Sequence, residues 1–195
     1  MDRETELALV RRLRDGDEAA FDAVFDEFHA RLYAFLARLS RRREVAEDLL
    51  EETWLRLVAN ASRLNLDTRL GPWLFTVARN LHVSYCRSRL VDASLAADLI
   101  GVWPVSPPEP SPFETLAASE LERRVERALS TLPAIYREAL LLVAAEGFSP
   151  AEAAAVCAVT PEALRQRLLR ARAKLARELE TKTAGDSHVL REVMT

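Results

Sequence analysis

Glycine, cysteine and histidine are scarce in this chain, with 5, 2 and 3 copies among 195 residues. The two cysteines, Cys86 and Cys157, and the three histidines fall in no metal-ligand spacing. The two cysteines are read as small buried hydrophobes, not as a bridge or a zinc site, and this usage fits a reduced cytoplasm. Long apolar runs are also missing. The longest, Ala139 to Ala145, is far too short to cross a bilayer. The opening MDRETELALV is acidic and has no apolar core, so it is not a secretion signal. No nucleophile arrangement, metal cluster or phosphate-cradling loop stands out, so an enzyme is the least supported class, and neither a cofactor nor a small-molecule substrate is expected. Nor does any segment alternate as a strand does. Ala, Leu, Arg and Glu dominate, which points to an all-α protein.

What is present is helical patterning with start and stop signals. The segment from Glu4 to Arg14 carries Leu7, Val10 and Leu13 on one edge, and Gly16 is placed to end it. Asp17 caps a longer helix striped with Phe21, Val24, Phe25, Phe28, Leu32, Phe35 and Leu39. After Arg41-Arg42-Arg43, a helix from about Glu44 to Ala61 turns Ala46, Leu50, Trp54, Leu57 and Ala61 inward. Its Asp48, Glu51 and Glu52 cluster elsewhere, either as a solvated patch or as a docking face for a basic helix. Residues 60–71 read as a loop, and Pro72 starts a helix to about Leu90. Trp73, Leu74, Val77, Leu81 and Tyr85 form its apolar side. Its polar remainder has no acid between Leu70 and Val91, which suits a nucleic-acid backbone or an unstacked base.

The pattern fails from Val91 to Pro112, where GVWPVSPPEPSP reads as an extended linker. Residues 1–92, 93–119, 120–182 and 183–195 are therefore expected to be a first helical domain, a flexible acidic linker, a second helical domain and a mobile tail. In the second domain Leu116, Leu121, Val125 and Leu129 are expected inward on one helix, and Ile135, Ala139, Leu142 and Val143 on the next.

Ser149-Pro150-Ala151-Glu152 and Thr160-Pro161 are two helix starts eight helical residues and a turn apart, a helix-turn-helix candidate. In the second helix Leu164, Leu168, Ala171, Leu175 and Leu179 line one face. No acid occurs from Ala163 to Arg177, and Glu162, Arg165, Gln166 and Leu169 share the outward face near its start. There a major-groove helix presents its base-reading side chains. The plain alternative is a solvated basic face. The net charge of −3 argues against a free-standing DNA binder, since such proteins neutralise phosphates with a basic domain.

Three segments in order resemble one family. VAEDLLEETWLRLV at 45–58 looks like the core-polymerase-binding helix of bacterial sigma factors, and PWLFTVARNLHVSYCRSR at 72–89 looks like their promoter-melting, −10-reading helix. The stretch from LPAIYREALLLVAAEGFSPAEAAAV to RLLRARAKL, residues 132–175, looks like their −35-reading domain. Two domains without a middle one are similar to the extracytoplasmic-function (ECF) group.

The resemblance implies roles. Asp48, Glu51 and Glu52 would dock on the polymerase clamp helices, with further contact to the flap. Asn65 and Arg69 would pocket a flipped −10 base with Asn80, and Trp73, Arg79, Arg87 and Arg89 would complete the −10 surface. Glu162, Arg165, Gln166, Leu169 and Arg170 would face the −35 element, and Arg167 and Arg172 would contact phosphates or support the helix internally. The linker would run along the RNA exit path, and an anti-sigma factor would be a further partner. Ala158 stands where the family usually has Gly. Glu162-Ala163-Leu164-Arg165-Gln166 replaces its frequent Gly-Thr-Val-Lys-Ser, and its basic run after the −10 helix is thinned to Arg87 and Arg89. On residues alone two other readings stay open, a self-sufficient DNA-binding regulator and a helical module that sequesters an anti-sigma protein. The acidic balance argues against the first and the arginine run against the second.

Overall fold

A computed structural model describes residues 2–100 and 120–193, with side chains described for 2–89 and 120–180. The described residues contain helices and no strand. They divide into two compact units, Met1–Glu109 and Pro110–Thr195.

The first unit holds α1 (Arg3–Arg14), α2 (Glu18–Ser40), α3 (Arg43–Asn60), a 3₁₀ turn (Ala61–Arg63) and α4 (Leu70–Ile100). Asp2 caps α1 by accepting the Thr5 N–H at 2.9 Å, and Asp17 caps α2 by accepting the Ala19 N–H at 3.0 Å. The Arg12 guanidinium, 2.7 Å from Asp17, holds that carboxyl below the usual carboxylate range. Helix α2 ends at Arg41, in left-handed geometry at φ 58°. It is the central member of the unit and packs on α1, α3 and α4. Val24, Phe28, Leu32, Phe35 and Leu39 are buried as their spacing requires. Phe35 meets Phe75 of α4 edge-on with centroids 5.1 Å apart. Phe21 and Phe25 are half-buried and pack against Trp54 of α3, at 5.9 and 4.9 Å.

In the second unit, α5 (Glu120–Thr131) and α6 (Ala134–Leu140) lead through a π turn (Leu141–Ala145) to α7 (Pro150–Val156) and α8 (Pro161–Val193). Leu132, Ala139, Leu142, Ala153, Val156, Leu164, Leu168 and Ala171 form its core. The buried Arg137 guanidinium donates to the carbonyls of Leu129, Ser130 and Leu132 at 3.0, 2.9 and 2.8 Å. These belong to the C-terminal end of α5, where a cation also suits the helix dipole. Gly147, at φ 72°, supplies the left-handed turn before α7.

Some sequence expectations change. Helix α4 starts at Leu70, not Pro72, and runs to Ile100, past Leu90, because Val91 to Ile100 contains neither Gly nor Pro. Helix α8 likewise continues beyond Lys182 to Val193. Leu121 and Ile135 are exposed, at 67% and 47%, rather than inward, and Ala61 is half-buried. Cys157 is buried, but Cys86 is exposed. Leu116 and the Pro-rich stretch from Pro104 to Pro112 lie outside the described residues.

Candidate nucleic-acid interface

The helix-turn-helix is built by local chemistry. Ser149 and Glu152 form a reciprocal capping box, with the Glu152 N–H donating to Ser149 Oγ at 3.2 Å and the Ser149 N–H donating to Glu152 Oε2 at 3.0 Å. Pro150 occupies the first turn, where its missing N–H costs nothing. Helix α7 ends at Cys157, and Ala158 takes the left-handed position at φ 53°. The turn thus carries an L-residue in the left-handed region. Thr160 Oγ1 then accepts the Ala163 N–H at 3.1 Å to start α8.

Burying Leu164, Leu168 and Ala171 against α6 and α7 fixes the rotation of α8. Glu162, Arg165, Gln166, Leu169, Arg170 and Arg172 are consequently all exposed. Leu169 is the most conspicuous, an aliphatic side chain 72% exposed among charged neighbours. Glu162 Oε2 accepts from Arg165 Nη1 at 2.6 Å, so the first basic side chain of the face is steered by an acid one turn before it. Arg167 is half-buried, with Nη1 in the interior.

In the first unit the predicted residues fall on three surfaces. On α3, Asp48 and Glu51 are exposed and Glu52 is half-buried, 2.7 Å from Arg56. Leu55 and Val58, 55% and 60% exposed, put apolar area on the same helix. Between α3 and α4 lies a cleft of about 340 Å³ lined by Arg56, Asn60, Trp73, Val77, Asn80, Leu81 and Ser84. It brings Trp73 and Asn80 together as the sequence suggests, and adds Arg56 and Asn60, which sequence reasoning missed. An indole wall beside two amides and a guanidinium can stack on a flat ring and hydrogen-bond its edge. Arg79 is half-buried and lies 3.4 Å from Asn80 Oδ1, while Arg87 and Arg89 are exposed further along α4. His82, on the buried side, lies 3.6 Å from Cys86 Sγ. Partial burial pushes this thiol up, the opposite of an activated thiolate.

The third surface is the loop before α4. Asn65 is exposed, but its Oδ1 accepts the Asp67 N–H at 3.1 Å in an Asx turn. Arg69 is also exposed, with Nε 2.8 Å from Glu6 of α1. So the two predicted loop residues are held in place from within the protein.

Both units are similar to known proteins. The chain matches the family models "Sigma-70 region 2" over residues 24–100 and "Sigma-70, region 4" over residues 122–175. It is 35% identical to the RNA polymerase sigma factor CarQ of Myxococcus xanthus, over 87% of this chain and 94% of that one. It is 38% identical to the ECF RNA polymerase sigma factor EcfG of Rhodopseudomonas palustris, over 80% and 82% of the two chains. Among solved structures, the sigma factor RpoE in complex with the anti-sigma factor NepR from Bartonella quintana has 30% identity and a TM-score of 0.67. It covers 82% of this chain and 96% of that one. CnrH, solved with the cytosolic domain of CnrY, shares the fold at a TM-score of 0.67 and 21% identity, covering 91% of this chain and 98% of that one.

The chain belongs to the ECF group of the sigma-70 family. It is a sigma factor that directs promoter-specific transcription initiation. Among the described residues no helix is long and apolar enough to cross a membrane, and no cluster of three or more His, Cys, Asp or Glu could hold a metal.

Proposed function

We propose that the two units are two promoter readers used together on one polymerase. Asp48, Glu51 and Glu52 form the acidic docking face for the clamp helices, and the second unit meets the flap. Glu162, Arg165, Gln166, Leu169 and Arg170 read the −35 element, with Arg172 on phosphate and Arg167 bracing α8 from inside. Asn65, Arg69, Trp73, Arg79, Asn80, Arg87 and Arg89 form the −10 surface, where the α3–α4 cleft receives a base leaving the stack. The protein acts in the cytoplasm and has no catalytic step of its own. An anti-sigma factor competing with polymerase for the first unit is a further proposed partner.

The observation that carries this reading is the orientation of α8. Its apolar stripe is buried, which leaves the predicted base-reading positions exposed together. Each reader alone is modest, but linkage on one enzyme raises their joint affinity by effective concentration. Holding a base outside the duplex needs a pocket and a stacking surface, not a metal or nucleophile.

The test is transcription with core RNA polymerase from candidate promoters. Asp48→Arg/Glu51→Arg is expected to abolish polymerase binding and transcription, and undiminished transcription would overturn the docking assignment. Arg165→Ala/Arg170→Ala is expected to retain polymerase binding but lose −35 selectivity. Tight, sequence-specific duplex binding by the chain alone would favour an autonomous regulator instead.

A further inference from the structure

Helix α1 lies outside every surface assigned so far, yet it carries a buried acid. Glu6 is 5% exposed and sits in phase with Leu9, Val10 and Leu13 on the inward side of α1. Its Oε1 accepts the Leu70 N–H at 2.7 Å, which is the first amide of α4. Its Oε2 accepts from Arg3 Nη1 at 3.0 Å and lies 2.8 Å from Arg69 Nε. Arg3 reaches on to the loop itself, donating to the carbonyls of Asp67 at 2.9 Å and Thr68 at 3.3 Å.

One buried carboxylate thus supplies a cap that the chain does not supply locally. Leu70 follows Arg69, which has no side-chain acceptor to offer the helix start. A negative charge there is favoured by the amide dipoles, and two guanidiniums offset the cost of burying it. Together the contacts hold the Asp67 and Thr68 carbonyls, the Arg69 side chain and the first amide of α4. Trp73 lies one turn further on, with its backbone N–H donating to the Arg69 carbonyl at 3.0 Å.

We propose that Glu6, with Arg3, is a positioning residue for −10 base selection: from α1 it sets the 65–69 loop and the first turn of α4, without touching DNA. The inference rests on the assignment of Asn65, Trp73 and Asn80 to the −10 surface. Selection between bases depends on placing hydrogen-bonding groups to within a fraction of an ångström. A loop held only by its own two turn bonds, from the Asp67 N–H to Asn65 Oδ1 and from the Thr68 N–H to the Asn65 carbonyl, does not meet that standard.

The test uses full-length chain in holoenzyme with core polymerase. Transcription is compared across promoters carrying each single base change in the −10 element and, separately, in the −35 element. Glu6→Gln retains an acceptor for the Leu70 N–H but removes the charge that gathers Arg3 and Arg69. It is expected to cut discrimination at one or two −10 positions by about tenfold, within the range of one base contact, and to leave −35 discrimination and polymerase affinity unchanged. Arg3→Ala, at a more exposed position, is expected to do the same more weakly and serves if Glu6→Gln fails to fold. Asn65→Ala and Asn80→Ala run alongside.

If they alter −10 selectivity while Glu6→Gln and Arg3→Ala leave it intact, the positioning role is overturned and the −10 assignment stands. If they leave it intact as well, the assignment falls and the inference with it. A loss spread evenly over all promoters, accompanied by weaker polymerase binding, would mark Glu6 as a stability residue only and overturn the proposal.

Discussion

Ala158 occupies a left-handed conformation that costs an L-residue roughly 1–2 kcal/mol, and it does so at the corner between the two helices that place the −35 reader. Ala158→Gly is expected to stabilise the second unit by about 1 kcal/mol, after the added freedom of glycine in the unfolded chain is counted. Urea denaturation would register this as a higher midpoint, and a lower one would mean that the Ala158 methyl makes a contact worth more than the strain. Arg137 presents the opposite case. Its guanidinium serves three carbonyls, so Arg137→Met strands them at the end of α5 and is expected to cost about 2–4 kcal/mol. On the reading face, Arg170→Ala is expected to lose about 1–3 kcal/mol of −35 discrimination if the guanidinium meets a base edge. A uniform loss over all promoter sequences would make it a phosphate contact. At this scale the sequence was least informative for Glu6. With Leu7, Val10 and Leu13 taken as the apolar edge of α1, Glu6 reads as an ordinary surface acid, and only the structure shows it buried beside Leu9 and Val10. Its partners were equally hidden, because the Leu70 amide and Arg69 are more than sixty residues away and only packing brings them close.

Helix α7 spans only Pro150 to Val156, too short to persist on its own, and depends on its box cap and on burial of Ala153, Ala154 and Val156. Ser149→Ala removes one side of the box and is expected to cost about 1 kcal/mol. Thermal unfolding monitored by circular dichroism would show the shift, and an unchanged midpoint would mean that packing alone holds α7. The sequence placed α7 and the start of α8 well, because Ser149, Glu152, Thr160 and the two prolines act within four residues of where they stand. It was less reliable at the far ends of helices. Helix α4 outruns its expected end since the linker composition was averaged over Val91 to Pro112, whereas the first breaker is Gly101. Leu121 and Ile135 were misplaced by a simpler error. Apolar spacing selects a face, but it does not say whether that face meets the domain's own core.

The whole chain carries a net charge of −3, and its densest acid-free run of basic side chains lies on α8, from Arg165 to Arg177. Alone it should bind duplex DNA weakly at physiological salt and with a shallow salt slope, because few phosphates are neutralised. Holoenzyme should show a much steeper slope. Titration of labelled promoter DNA with each species at several ionic strengths would measure both, and equal slopes would contradict the division of labour. The family and the two-reader plan were legible because their motifs are local and ordered along the chain. The α3–α4 cleft was only half legible, since Arg56 sits in a segment read as polymerase-binding, Asn60 in one read as loop, and both enter the cleft through the packing of two helices. The brace from Glu6 to Leu70 also has a thermal consequence. It ties the first helix of the chain to the start of α4 across 64 residues, and α1 buries only Glu6, Leu9, Val10 and Leu13. Terminal elements with few buried contacts open at lower free energy than the core, so this brace is expected to loosen before the unit unfolds. Fidelity at the −10 element should therefore decline at temperatures where the protein is still folded and still bound to polymerase, making promoter choice a more heat-sensitive property than transcription itself.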